Sequence, residues 1–112
     1  MNVLLISTNR ALHPMPVMPL GLCMVAEACE RAGHRVRVLD LMFERDPFAA
    51  IGTAVVEHRP DAIGISVRNI DNNDKADPVF YLDDLALIVN AVRRLTAAPV
   101  ILGGAALAVM PV

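Results

Sequence analysis

Hydrophobic positions along the chain gather into four short strand-like runs, separated by segments in which they recur at helical spacing. The first run, Val3-Leu4-Leu5-Ile6-Ser7, is continuously apolar, the mark of a strand buried on both faces. Leu22, Val25, Ala26 and Cys29 then predict the inner face of a helix over 19–32. Pro19 is tolerated in its first turn and Gly33 stands where a left-handed cap is needed. Residues 35–40 alternate charged and apolar side chains, the half-solvated pattern of a strand near a sheet edge. A helix over 47–58 follows, with Asp46 as its N-cap and Phe48, Ile51, Val55 and Val56 turned inward. The run 62–67 is apolar throughout and reads as a central strand, and a helix over 81–95 presents Leu82, Leu85, Ile88, Val89 and Val92. A fourth strand, Pro99-Val100-Ile101-Leu102, runs into Gly103-Gly104.

Strand–helix alternation with such short connections implies an α/β fold with parallel strands and right-handed crossovers. With the first and third strands central and the second peripheral, the expected order is 2-1-3-4, a flavodoxin-like (Rossmann-like) sheet. A fifth strand and a last helix are expected after Pro111. Residues 1–112 therefore read as a single domain, a C-terminally truncated fragment of a larger protein. The edge of its fourth strand is expected to be covered by self-association. In such sheets the ligand lies beyond the carboxyl ends of the strands, at the switch between strands one and three. Ser7 to Arg10, Ser66 to Asn69 and Gly103-Gly104 all fall on that rim. The eleven-residue polar loop 68–78 is long enough in so small a domain to suggest function.

Composition narrows the ligand. The chain is 55% hydrophobic, and the excess is aliphatic, yet no apolar run reaches the roughly 18 residues that span a bilayer. The opening residues lack the charge and cleavage pattern of a signal peptide, so the cytoplasm is the expected compartment. A net charge of −2 and only four aromatic residues give no case for nucleic acid. Cys23 and Cys29, six residues apart on a helix, diverge by about 240° and share neither a bridge nor a metal. They are expected to be small buried hydrophobes in a reducing compartment.

The dinucleotide pattern Gly-x-Gly-x-x-Gly is missing, as is a phosphate loop with Gly-Lys-Ser/Thr. Three prolines in the loop after strand one remove backbone N–H donors that a flavin phosphate would need. A phosphoryl receiver would want acidic residues where Ser7-Thr8 and Ser66-Val67 stand. What remains is a large, mostly apolar ligand. Its mouth would be lined by Met15, Val17, Met18 and Leu20, beside a slot left by Ser66, Gly103, Gly104, Ala105 and Ala106.

Four segments carry a family resemblance: Pro19-Leu20-Gly21-Leu22, Gly33-His34-Arg35-Val36, the run from Pro60 to Asn72, and Pro99 to Gly104. Together they resemble the cobalamin (B12)-binding domain, and more closely the N-terminal domain of B12-binding radical SAM proteins. The wider family carries Asp-x-His-x-x-Gly after strand one, its His ligating cobalt from below. Aligned on Gly21, that motif puts Pro16 at the Asp position and Met18 at the His position, with His13 five residues upstream. The resemblance thus implies cobalamin bound without a lower-face His. It further implies Ser66 as a hydrogen-bond partner of the displaced dimethylbenzimidazole tail, and Gly103-Gly104 as bare backbone beside it. Met18 and Leu20 would meet the corrin's lower face, and Thr8, Gly21, Val67, Arg68 and Asn69 complete the cofactor-binding set. Asn69, with Asp71 and Asn72, would bond corrin amides or pack on a catalytic domain, and Arg68 would do either or pair with the nucleotide phosphate.

The chain has no Cys-x-x-x-Cys-x-x-Cys. S-adenosylmethionine and a 4Fe-4S cluster are therefore expected only in the missing part of the parent, and this domain is not an enzyme by itself. Two competing readings stand beside the first. One is a protein-interaction or assembly domain that kept the fold without a cofactor. The other is a small enzyme acting on a nucleotide-like substrate, for which the rim offers no acid, base or nucleophile. Plainer roles stand for single features. Gly103-Gly104 also suits a tight strand exit, Ser66 a loop cap, Met15 to Met18 core filling, and His34 and His58 solvated element ends. Asp83 and Asp84 suit first-turn helix charges.

Overall fold

The structure, a computed structural model, describes residues 1–8, 19–67 and 79–103, with only the backbone for 79–84. The described elements are β1 (Asn2–Ser7), α1 (Leu20–Arg31), β2 (Arg35–Asp40), α2 (Pro47–His58), β3 (Ala62–Ser66), α3 (Val79–Leu95) and β4 (Val100–Gly103). All strand pairings are parallel, in the order β2-β1-β3-β4. The expected topology holds.

Local chemistry sets the element ends. Asp46 accepts a hydrogen bond from the Ala49 N–H at 3.1 Å, capping α2 ahead of Pro47. Past α1, Gly33 adopts φ +93°. Its N–H bonds Glu30 O and the His34 N–H bonds Cys29 O, the paired bonds of a Schellman stop. At the amino edge of the sheet, the Asn2 N–H donates to Asp61 Oδ2 at 2.8 Å and the Asp61 N–H to Asn2 O at 2.7 Å. The exit of α2 is thereby tied to β1.

The two sheet faces are unequal. On one, Leu4, Ile6, Leu39, Ile63 and Ile65 pack with Leu41 against Ile51, Ala54 and Val55 of α2 and Ile88 and Val92 of α3. On the other, Val3 and Leu5 meet Leu22 and Ala26 of α1, with Val36 at the margin. Helix α1 lies over β1 and β2, so β3 and β4 carry no described helix on that face. The core on the first face is continuous; among the described residues the second face is half covered.

Several burial expectations change. Val25 is half-exposed, because Leu22 and Ala26 take the stripe that meets the sheet and Val25 stands off to one side. Phe48 and Val56 are exposed, since the inner stripe of α2 is Ile51, Ala54 and Val55. Cys23 is exposed and Cys29 half-buried, so neither is a core residue. The histidines are not simply solvated. His58 is half-buried, its Nε2 3.1 Å from Val3 O and 3.2 Å from Arg35 O, and His34 is considered below. Leu82, the 68–78 loop and the Asp83 and Asp84 side chains lie outside the described residues.

Candidate functional site

Register builds the site. Side chains on neighbouring parallel strands share a face row by row, so Val3–Ala62, Leu5–Gly64–Ile101 and Ser7–Ser66–Gly103 form three rows on the half-covered face. The β3 members are Ala62, Gly64 and Ser66, all small, while Ile63 and Ile65 serve the opposite core. A cleft of about 810 Å³ therefore opens over β3, walled by Leu20, Gly21, Val25 and Cys29 on α1 and by Ile101 and Gly103 on β4. That volume lies in the range that takes a sizeable organic ligand.

Glycine shapes the walls in two ways. A Cβ built on Gly103 or Gly21 meets no atom of the described residues within 4 Å. A Cβ on Gly64 would lie 2.7 Å from Leu5 Cδ2, so a larger residue there must push the Leu5 side-chain tip aside. The lining is apolar except at its ends. Ser7 and Ser66 stand at the carboxyl rim, and His34 stands at the amino end beside Met1.

At the rim, the Thr8 hydroxyl donates to Ser66 O at 2.8 Å and the Thr8 N–H to the same oxygen at 3.3 Å. The Val67 N–H donates to Gly103 O at 2.7 Å. Beyond β2, the Leu41 N–H bonds Ser7 O at 3.1 Å and the Met42 N–H bonds Asp40 Oδ1 at 3.0 Å. The exits of all four strands are thus held in one frame.

Of the residues singled out from sequence, Leu20, Gly21, Ser66 and Gly103 come together as cleft lining. Thr8 stands beside them, holding Ser66 through its carbonyl. The Val67 side chain is buried and is not part of the lining. Met18, Arg68, Asn69 and Gly104 lie outside the described residues. Sequence reasoning missed Ala62, Gly64, Ile101, Cys29 and His34. The signal was present in the third strand, where small residues alternate with Ile63 and Ile65, but the run reads as uniformly apolar when the two faces are not separated.

Among the described residues no three His, Cys, Asp or Glu side chains gather as a metal site. No described helix is long and apolar enough to cross a membrane.

Comparison with known proteins gives a consistent result. The family model of the B12 binding domain matches residues 10–112. Tryptophan 2-C-methyltransferase of Streptomyces laurentii is 34% identical over 111 residues, which is 98% of this chain and 18% of that protein. The radical S-adenosylmethionine methyltransferase TsrM from Kitasatospora setae, solved with cobalamin and a [4Fe-4S] cluster bound, superposes with a TM-score of 0.78 at 35% identity. The match covers 92% of this chain and 18% of that one. A cobalamin-dependent S-adenosylmethionine radical enzyme, OxsB, shares the fold at 18% identity, with a TM-score of 0.63 over 98% of this chain and 14% of its own. The chain thus spans about a fifth of the length of the relatives it matches.

Proposed function

The chain belongs to the B12 binding domain family, and on that premise we propose that it is the cobalamin-binding module of a radical SAM protein. The observation that carries this is the cleft over β3, with its small-residue floor and its open glycine wall at Gly103. The residues present fit the cofactor's tail. The cleft is long, apolar between its ends, and bordered at the rim by Ser66, whose hydroxyl is available to the tail as a donor or acceptor. Gly103 and Gly21 let a flat group approach the backbone, and Leu20 sits at the mouth. We assign the corrin to the rim above the ends of β1 and β3, and Met18, Arg68, Asn69 and Gly104 keep the contacts that the family resemblance implies for them.

We further propose that no histidine of this chain ligates cobalt from below. The chain has three histidines. His34 and His58 both stand at the amino edge of the sheet, the opposite end from the rim, where His34 meets the Met1 nitrogen and His58 meets Val3 O and Arg35 O. Only His13 remains, displaced from the motif position that Met18 fills. When bound, the cobalt would supply the organometallic chemistry; this chain's residues bind the tail and position the corrin. S-adenosylmethionine, the 4Fe-4S cluster and the catalytic step belong to other parts of the parent. The exposed, unpaired thiol of Cys23 suits the reducing cytoplasm assigned to it here.

Retention of cofactor tests the reading. The protein is incubated with hydroxocobalamin and desalted, and its visible spectrum recorded. Corrin absorbance should co-elute with the protein; its absence would sink the proposal. Self-association is a second part of the proposal, supported by Ile101 and Leu102, which are exposed on β4 at the end of the described sheet. Sedimentation should show a concentration-dependent dimer, and a monomer at all concentrations would remove this part alone.

A further inference from the structure

The inner end of the cleft carries a polar group that the cobalamin reading does not use. Ala62, Gly64 and Ser66 lie on one face of β3 at two-residue spacing, so the floor runs roughly 13 Å from the rim to the amino edge. Along that run the lining is Leu5, Gly64, Leu22, Val25, Cys29 and Ile101. At its end stands the half-buried His34 ring. The Met1 nitrogen lies 3.1 Å from His34 Nδ1. The Met1 nitrogen, an ammonium, can only donate, so Nδ1 is the acceptor and Nε2 is left as the N–H of the ring. No acceptor for Nε2 lies among the described residues.

A flat heterocycle entering from the rim therefore meets an N–H donor at its far edge. An acceptor nitrogen on the distal ring would satisfy that donor, whereas two methyl groups would offer it no partner. Sites that hydrogen-bond one ligand discriminate against its analogue mainly through the unpaired group left behind. Resting on the cobalamin reading, we propose that His34 is a specificity-determining residue for the lower base of the corrinoid. Its Nε2–H favours a purine-type base over a dimethylated benzimidazole, relative to the same cleft without that donor.

The test compares three probes, cobalamin, the adenine-containing cobamide and tail-less cobinamide, by equilibrium binding to the wild-type protein and to His34→Leu and His34→Gln. His34→Leu should shift the affinity ratio about tenfold toward cobalamin over the adenine cobamide, with cobinamide affinity unchanged. His34→Gln keeps an N–H donor and an acceptor, so its ratio should stay within about threefold of wild type. If His34→Leu fails to fold, His34→Phe removes the donor equally. An unchanged ratio in the donor-less variant overturns the inference while leaving the cobalamin reading intact. A loss of cobinamide binding also overturns it, because that loss would mean a structural role. Failure of the wild-type protein to bind any of the three overturns the reading itself and the inference with it.

Discussion

The Thr8 hydroxyl donates to the Ser66 carbonyl at 2.8 Å across 58 residues of sequence, joining the exits of β1 and β3 where the sheet order reverses. The switch point of the fold is thus closed by a side chain as well as by the ladder. Thr8→Val keeps the shape and removes the donor. It should cost about 1 kcal/mol of stability in urea titration, the usual net worth of one such bond. Because the same bond fixes Ser66, hydroxocobalamin affinity should fall as well.

The two cleft glycines should separate folding from binding. At Gly103 an added Cβ meets no atom of the described residues within 4 Å, so in Gly103→Leu the thermal midpoint should change little while corrin retention is lost. In Gly64→Val the new side chain meets Leu5 within the sheet, and overpacking of that kind costs about 1–3 kcal/mol. Both stability and retention should fall there. Paired melting and desalting measurements on the two variants distinguish these outcomes.

Cysteine labelling reads occupancy directly. Cys23 is exposed away from the cleft and Cys29 lines it. Hydroxocobalamin should slow alkylation of Cys29 and leave Cys23 unaffected, followed by mass spectrometry of the two peptides. Equal protection of both thiols would contradict the placement of the cofactor.

Gly33 should matter to stability alone. Its φ of +93° suits glycine, so Gly33→Ala should cost about 1–2 kcal/mol from backbone strain. Corrin affinity per folded molecule should be unchanged, since no cleft wall is altered.

Topology was legible from sequence because each strand and helix carries a strong period and clear stops, such as Asp46-Pro47 and Gly33. The rim residues Ser66 and Gly103 followed from topology plus the switch-point rule. The cleft's interior was not legible, because it depends on register. Only pairing reveals that Gly64 sits between Leu5 and Ile101, and that Ala62 follows Val3 in the next row. Burial on the helices was overcalled at Val25, Phe48, Val56, Cys23 and Cys29, since an apolar residue at helical spacing predicts an inner face but not how wide the covering sheet is. His34 escaped notice for a related reason. Sequence places it just after a helix, and only the fold brings that point to the cleft's end.

The unequal covering of the two sheet faces has a consequence for the protein's lifetime. Among the described residues, one face is covered by the chain's own helices, while over β3 the other stays open as the cleft. A bound corrinoid then behaves as part of the hydrophobic interior, and at a hundredfold excess over its Kd should add about 2.7 kcal/mol to the folded state. Resistance to proteolysis is expected to rise with vitamin supply. Pulse proteolysis with and without hydroxocobalamin would measure that dependence, and equal digestion rates would show that the interior is complete without the cofactor.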